Sequence, residues 1–170
     1  MRSTTPARFF PAIALAFAGW LLPGPAVAQP LGQQIVGAWR LVSIYNEDKG
    51  VKRHLLGETP VGLLMFDRAG TVSQFLSRPD LPRFAVPNRM QGSDKENRDV
   101  VHGMIAGFGT YIVDGDTVTI KWIGSSFPNR IGSEEKRTYK IVGDEMSAVN
   151  PSASVGGTSH ARFVRVAAGG

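Results

Sequence analysis

Gly37-Ala38-Trp39-Arg40-Leu41-Val42-Ser43-Ile44-Tyr45 is the stretch whose reading decides the fold. It alternates with a period of two, placing Trp39, Leu41, Ser43 and Tyr45 on one face and Ala38, Arg40, Val42 and Ile44 on the other, as in a half-buried β-strand. An indole this early in a small β domain removes a large apolar area from water and needs a partner where the sheet closes. The last strand of the chain offers Arg165.

Upstream of that strand, Arg2 and Arg8 precede an apolar run from Phe9 to Leu22, and Ala26-Val27-Ala28 supplies a small-x-small cleavage site. This is the pattern of a secretory signal peptide, and the run is too short and too Pro-bounded for a membrane span. The expected organisation is a signal peptide over 1–28 and one domain over 29–170. The mature protein is expected to be secreted or periplasmic, with no stable membrane anchor, as a monomer or weak dimer. There is no cysteine, so an exported chain must be held by its core without disulfides. The net charge of +5 includes Arg2 and Arg8, and the other basic residues are scattered among acids. A nucleic-acid surface would need a basic run with interleaved aromatics, and none is present.

Downstream, Asn46 to Gly50 reads as a turn and Val51 to Pro60 as a loop able to cross a barrel mouth. Val61–Phe66 and Thr71–Ser77 read as a hairpin around Asp67-Arg68-Ala69-Gly70. Ser77 to Pro87 carries Pro79, Pro82 and Pro87 and is expected to be a covering loop, with Asp80 pairing Arg83. Ser93-Asp94-Lys95-Glu96 fits a capping box that opens a helix over about 94–105. Strands follow at 109–113, 117–123, 136–142, 145–149 and 159–166. Eight short strands interrupted by one helix predict an all-β, up-and-down antiparallel barrel, which removes sheet edges and encloses side chains or one small ligand.

Several stretches together resemble the lipocalin-like domain family of bacteria and fungi. They are Gly37 to Ser43, Pro60-Val61-Gly62, Arg78-Pro79-Asp80-Leu81-Pro82-Arg83-Phe84-Ala85, Ser125-Ser126-Phe127-Pro128-Asn129, Gly132 and Arg137-Thr138-Tyr139. The resemblance implies a lipocalin-like barrel in which Gly37 and Trp39 close the floor and Arg165 lies across the indole as a cation–π lid. It brings no established reaction with it.

Alternation carried inward from Trp39 places Leu41, Ser43 and Tyr45 inside, then Leu63 or Leu64 with Met65, then Val72, Gln74 and Leu76. Later strands add Val118, Ile120 and Trp122, then Arg137, Tyr139 and Ile141, then Ala161, Phe163 and Arg165. An apolar interior with a few placed polar groups has the character of a ligand cavity, and Ser43, Tyr45, Gln74, Trp122, Arg137 and Tyr139 are its candidate binding residues. Arg137 is the sharpest of them. An enclosed guanidinium needs a ligand carboxylate or enolate, an internal salt bridge or backbone carbonyls. Because the acids fall mostly at turns and in the helix, an internal salt bridge is hard to build, and a ligand carboxylate, waters or backbone carbonyls are the expected partners.

His54, His102 and His160 have no metal-like spacing, and no metal or cofactor is expected. Ser133-x-x-Lys136 and Gly103-x-x-x-Gly107-x-Gly109 lack the structural context of an acylase or a dinucleotide fingerprint. The sequence therefore points to an exported barrel that binds a small hydrophobic molecule with an acidic or carbonyl end. The alternative is a cofactor-free isomerase or cyclase in the same cavity, with Tyr45, Tyr139 or His102 moving a proton and Arg137 holding developing charge.

Overall fold

The computed structural model describes residues 29–167, so the expected signal peptide at 1–28 lies outside the described residues. A single-turn helix α1 (Leu31–Gln34) leads into β1 (Gly37–Asp48). There follow β2 (Val51–Arg53), β3 (Val61–Phe66), β4 (Thr71–Ser77), helix α2 (Asp94–Gly103), β5 (Met104–Asp114) and β6 (Thr117–Ser125). The chain ends in β7 (Glu134–Val142), β8 (Glu145–Asn150) and β9 (Thr158–Arg165). From β3 onward each strand pairs antiparallel with the next, β1 pairs β3, and β1 also pairs β9. That last pairing closes an eight-stranded up-and-down barrel, with β2 folded back on the far end of β1 as an extra strand.

Most strands lie where alternation predicts them, and the departures have local causes. The expected turn at Asn46 is instead a continuation of β1 to Asp48, because Val51–Arg53 supplies hydrogen-bonding partners for Asn46, Glu47 and Asp48. The capping box forms, with Ser93 Oγ accepting from the Glu96 amide and Glu96 accepting from the Ser93 amide. Its helix stops at Gly103 rather than Ile105. Met104 turns extended and pairs with Ser77, so the β4–β5 ladder begins five residues before the expected start at Gly109.

A bulge in β1 changes the inward set. Leu41 stands opposite Phe163 and Ser43 opposite Arg162, leaving Val42 as an extra residue on the β1 side. Past it the phase inverts. Trp39 and Leu41 are buried before the bulge, whereas Ile44 and Asn46 face the interior after it. Ser43 and Tyr45 are thereby turned outward, contrary to expectation. The Tyr45 ring stacks on His160 at 4.8 Å, with the Lys52 ammonium 5.0 Å from its centroid. In β3 the inward residues are Leu64 and Phe66, and Met65 is exposed, which corrects its expected inward position.

The barrel is packed solid at the end where β1 begins. Trp39, Leu41, Leu64, Phe66, Val72, Val118, Ile120, Tyr139 and Met146 form its core, with Ile35 of the α1 segment beneath. Trp39 Nε1 donates to the Ile35 carbonyl at 2.7 Å, which satisfies the indole within that plug. The Arg165 guanidinium lies 4.1 Å from the Trp39 ring centroid and donates to the carbonyls of Val36 and Gln34. Gly37 is required here because its φ is +131° and a Cβ would stand 3.1 Å from Arg165 Nη1. The floor expected of Gly37, Trp39 and Arg165 is thus built as a cation–π lid hydrogen-bonded to the incoming chain.

Candidate functional site

Toward the other end the barrel is hollow. A cavity of about 640 Å³ lies between the packed core and a mouth formed by Leu55 and Leu56, by Val101 and His102 of α2, and by the Ala153–Val155 loop. Its wall is largely apolar, with Ile44, Leu76, Ile105, Ala148, Ala161 and Phe163 among the lining residues. Of the covering loop expected at 77–87 only Arg78 lines the cavity, and its amide donates to the Gly103 carbonyl. Arg78 Nε pairs with Asp80 at 3.0 Å, and it is this arginine rather than Arg83 that holds Asp80.

One side of the cavity is polar, and residues on three strands and a turn converge there. Glu135 and Arg137 are two apart on β7 and so point to the same face. A 3-10 turn at Pro128–Arg130, opened by Pro128, swings Arg130 back over β6. Arg130 holds Glu135 through a fork, Nε to Oε1 at 2.8 Å and Nη2 to Oε2 at 3.1 Å. Arg137 reaches Oε2 from Nη2 at 2.7 Å and from Nε at 3.1 Å, and Asn150 Nδ2 donates to the same oxygen at 3.3 Å. Arg137 Nη1 then donates to Gln74 Oε1 at 3.3 Å.

Trp122 forms the back of this cluster. The Arg130 guanidinium is 3.9 Å and that of Arg137 5.5 Å from its centroid, so both cations lie on one indole. Room for the ring comes from Gly107, where a Cβ would meet the indole at 3.0 Å. Tyr139 lies below Arg137, edge-on to Phe66 at 5.8 Å. Gln74 and Arg137 line the cavity as expected, whereas Trp122 and Tyr139 are buried behind them and Ser43 and Tyr45 are outside the barrel.

The expectation that an internal salt bridge to Arg137 is hard to build, for want of inward acids, is overturned by Glu135. Its signal was present in the sequence, since a residue two before an inward strand residue is itself inward once the strand extends to it. Arg130 follows directly on the Phe127-Pro128-Asn129 motif, and Asn150 ends β8. Two guanidiniums against one carboxylate leave the cluster with one net positive charge. Burial alone would raise the Glu135 carboxyl, but the charges and hydrogen bonds of Arg137 and Arg130 outweigh it and hold the group below the usual carboxylate range. Burial pushes the Tyr139 phenol up. Among the described residues no group of three or more His, Asp or Glu side chains is placed to hold a metal ion.

An up-and-down barrel with a plugged floor, a cation–π lid on its first-strand tryptophan and a lined cavity is the architecture of a small-molecule-binding barrel. Residues 36–166 match the lipocalin-like domain family, and the chain belongs to that family. A search of curated protein sequences found no match.

Proposed function

We propose that this protein binds one small, predominantly apolar molecule inside the barrel, its polar end against the Arg130–Glu135–Arg137 wall. The observation that carries the reading is the cavity of about 640 Å³, apolar over most of its lining, with Arg130, Glu135 and Arg137 clustered on one side. That is the composition of sites in which burial supplies affinity and a few fixed groups supply orientation. Export, with the mature chain starting at Gln29, belongs to the same proposal and rests on the pattern of residues 1–28. Mass spectrometry of the native protein tests it, since an N-terminus upstream of Gln29 would overturn it.

Binding is favoured over catalysis because the polar wall itself offers no free base, and His102 lines the cavity from α2 rather than from that wall. Glu135 is held ionised by two arginines and both its oxygens already accept hydrogen bonds. Tyr139 is held protonated by burial and sits behind the wall, and Tyr45 lies outside the barrel. Ala148 provides the test. It lines the cavity and is itself buried, so Ala148→Phe should fill ligand space while keeping the wall apolar. Titration with the fluorescent polyene parinaric acid should show one saturable site, weakened about tenfold or more in the variant. Equal binding to both proteins would place the probe elsewhere and overturn the reading.

A further inference from the structure

The polar wall also specifies what kind of head group it takes. Every acceptor oxygen there already has a donor. Glu135 Oε1 accepts from Arg130 and Oε2 from Arg130, Arg137 and Asn150. Gln74 Oε1 accepts from Arg137, and Asn150 Oδ1 from the Ser152 amide. Donors, in contrast, are left over. Gln74 is only 5 % exposed and lines the cavity, yet its amide nitrogen has no hydrogen-bond partner among the described residues. Its orientation is fixed by chemistry, because turning the amide over would set Nε2 against the Arg137 guanidinium, donor to donor.

Gln74 Nε2 and Arg137 Nη1 are therefore adjacent at the base of the cavity, on a cluster with one uncompensated positive charge. The Gln74 amide donor opens on the cavity unclaimed by any acceptor of the described residues, so a ligand oxygen can accept from it without displacing an existing bond. We propose that this wall selects a ligand ending in a carboxylate, with Gln74 as the specificity-determining residue and Arg137 as the charge it works beside. One oxygen can accept from Nε2 and the other from Nη1, and the single negative charge neutralises the cluster. A protonated amine meets like charge, and an alcohol has one oxygen where two donors wait.

The inference rests on the cavity reading above, and the test separates the two. Decanoate, decanol and decylamine share one chain and differ in the head, and calorimetric titration of the intact protein with each reads the preference directly. Decanoate should bind roughly tenfold or more tighter than decanol, the ratio expected of one charge-assisted hydrogen bond, and decylamine weakest. Gln74→Leu should cut the decanoate-to-decanol affinity ratio severalfold or more, the ratio being read within the variant. Gln74→Glu, which adds a carboxylate beside Arg137 and brings the cluster to neutrality, should abolish the preference for decanoate over decanol, and melting curves of both variants verify folding. If decanoate and decanol bind the native protein equally, the head-group proposal fails and the cavity reading stands. A preference retained in both folded variants removes Gln74 from its role. If none of the three probes binds, both readings fall.

Discussion

Glu135 ties the ionisation of one side chain to the stability of the open half of the barrel. In the unfolded chain its carboxyl titrates near 4.5, and in the fold Arg137 and Arg130 hold it lower despite burial. A depressed carboxylate contributes stability that is whole above the unfolded value and is lost as pH falls through the folded one. Glu135→Gln is expected to cost about 3 kcal/mol at neutral pH, the low end for breaking a buried pair because the cavity admits solvent screening. The cost should shrink below about pH 4.5. Urea unfolding of both proteins from neutral pH downward measures this, and a gap constant with pH would mean the carboxylate is not what the arginines recognise. Trp39→Ala makes a different cut, into the solid plug. There the lost indole and its cavity should cost about 3–5 kcal/mol, and a near-native melting temperature would contradict the role of the indole as the floor. Of these two residues only Trp39 was legible in advance. Its strand, its phase and its partner Arg165 are all written locally, whereas Glu135 was hidden by a strand start placed at Lys136, two residues late.

At the level of elements, β1 shows where alternation stops being a guide. The apolar residues of this stretch fall at Trp39, Leu41, Val42 and Ile44, so the alternation slips at Leu41-Val42, where the extra residue reverses the phase. The slip by itself does not fix a bulge, which is set by the register of the two strands together. This reversal put Ser43 and Tyr45 among the candidate binding residues and hid Ile44 and Asn46. By contrast the hairpin of β3 and β4 is carried by its turn. Asp67 accepts from the Thr71 amide and hydroxyl, and both strands begin and end where the sequence predicts. Helix α2 is also written locally, through Ser93 and Glu96. Because α2 contacts the barrel mainly through β5 and the loop at Arg78, its cap should matter to the mouth more than to the whole. Ser93→Ala should weaken the helix by about 0.5–2 kcal/mol. Limited proteolysis between Ser77 and Gly103 should then be faster at an almost unchanged melting temperature. A melting temperature that falls in step with proteolysis would show that α2 and the barrel unfold as one unit.

Across the whole molecule the two halves of the barrel are built for different purposes. The floor half has Trp39, Tyr139, Phe66 and Met146 interlocked with almost no exposure, the Arg165 lid, and ladders closed on both sides of every strand. The mouth half is bounded by the three-residue β2, by α2 and by the loop at Ala153, around a cavity where side chains have fewer neighbours. Regions with few buried apolar contacts open locally at lower free energy than the core. Amide hydrogen exchange should therefore divide the same strands along their length. In β1 the amides near Trp39 and Leu41 should exchange only through global unfolding, and those of Asn46 and Glu47 through local opening. A ligand held in the cavity stabilises the closed mouth in proportion to its occupancy, about 2.7 kcal/mol at one hundred times the dissociation constant. With a saturating probe, protection should rise first at Leu55, Leu56, Val101 and Asn46, while amides at Trp39 and Leu41 gain only the increase that global stability gains. Uniform protection along β1 without a probe would mean that the barrel opens as a single unit, and that its hollow half is as rigid as its floor.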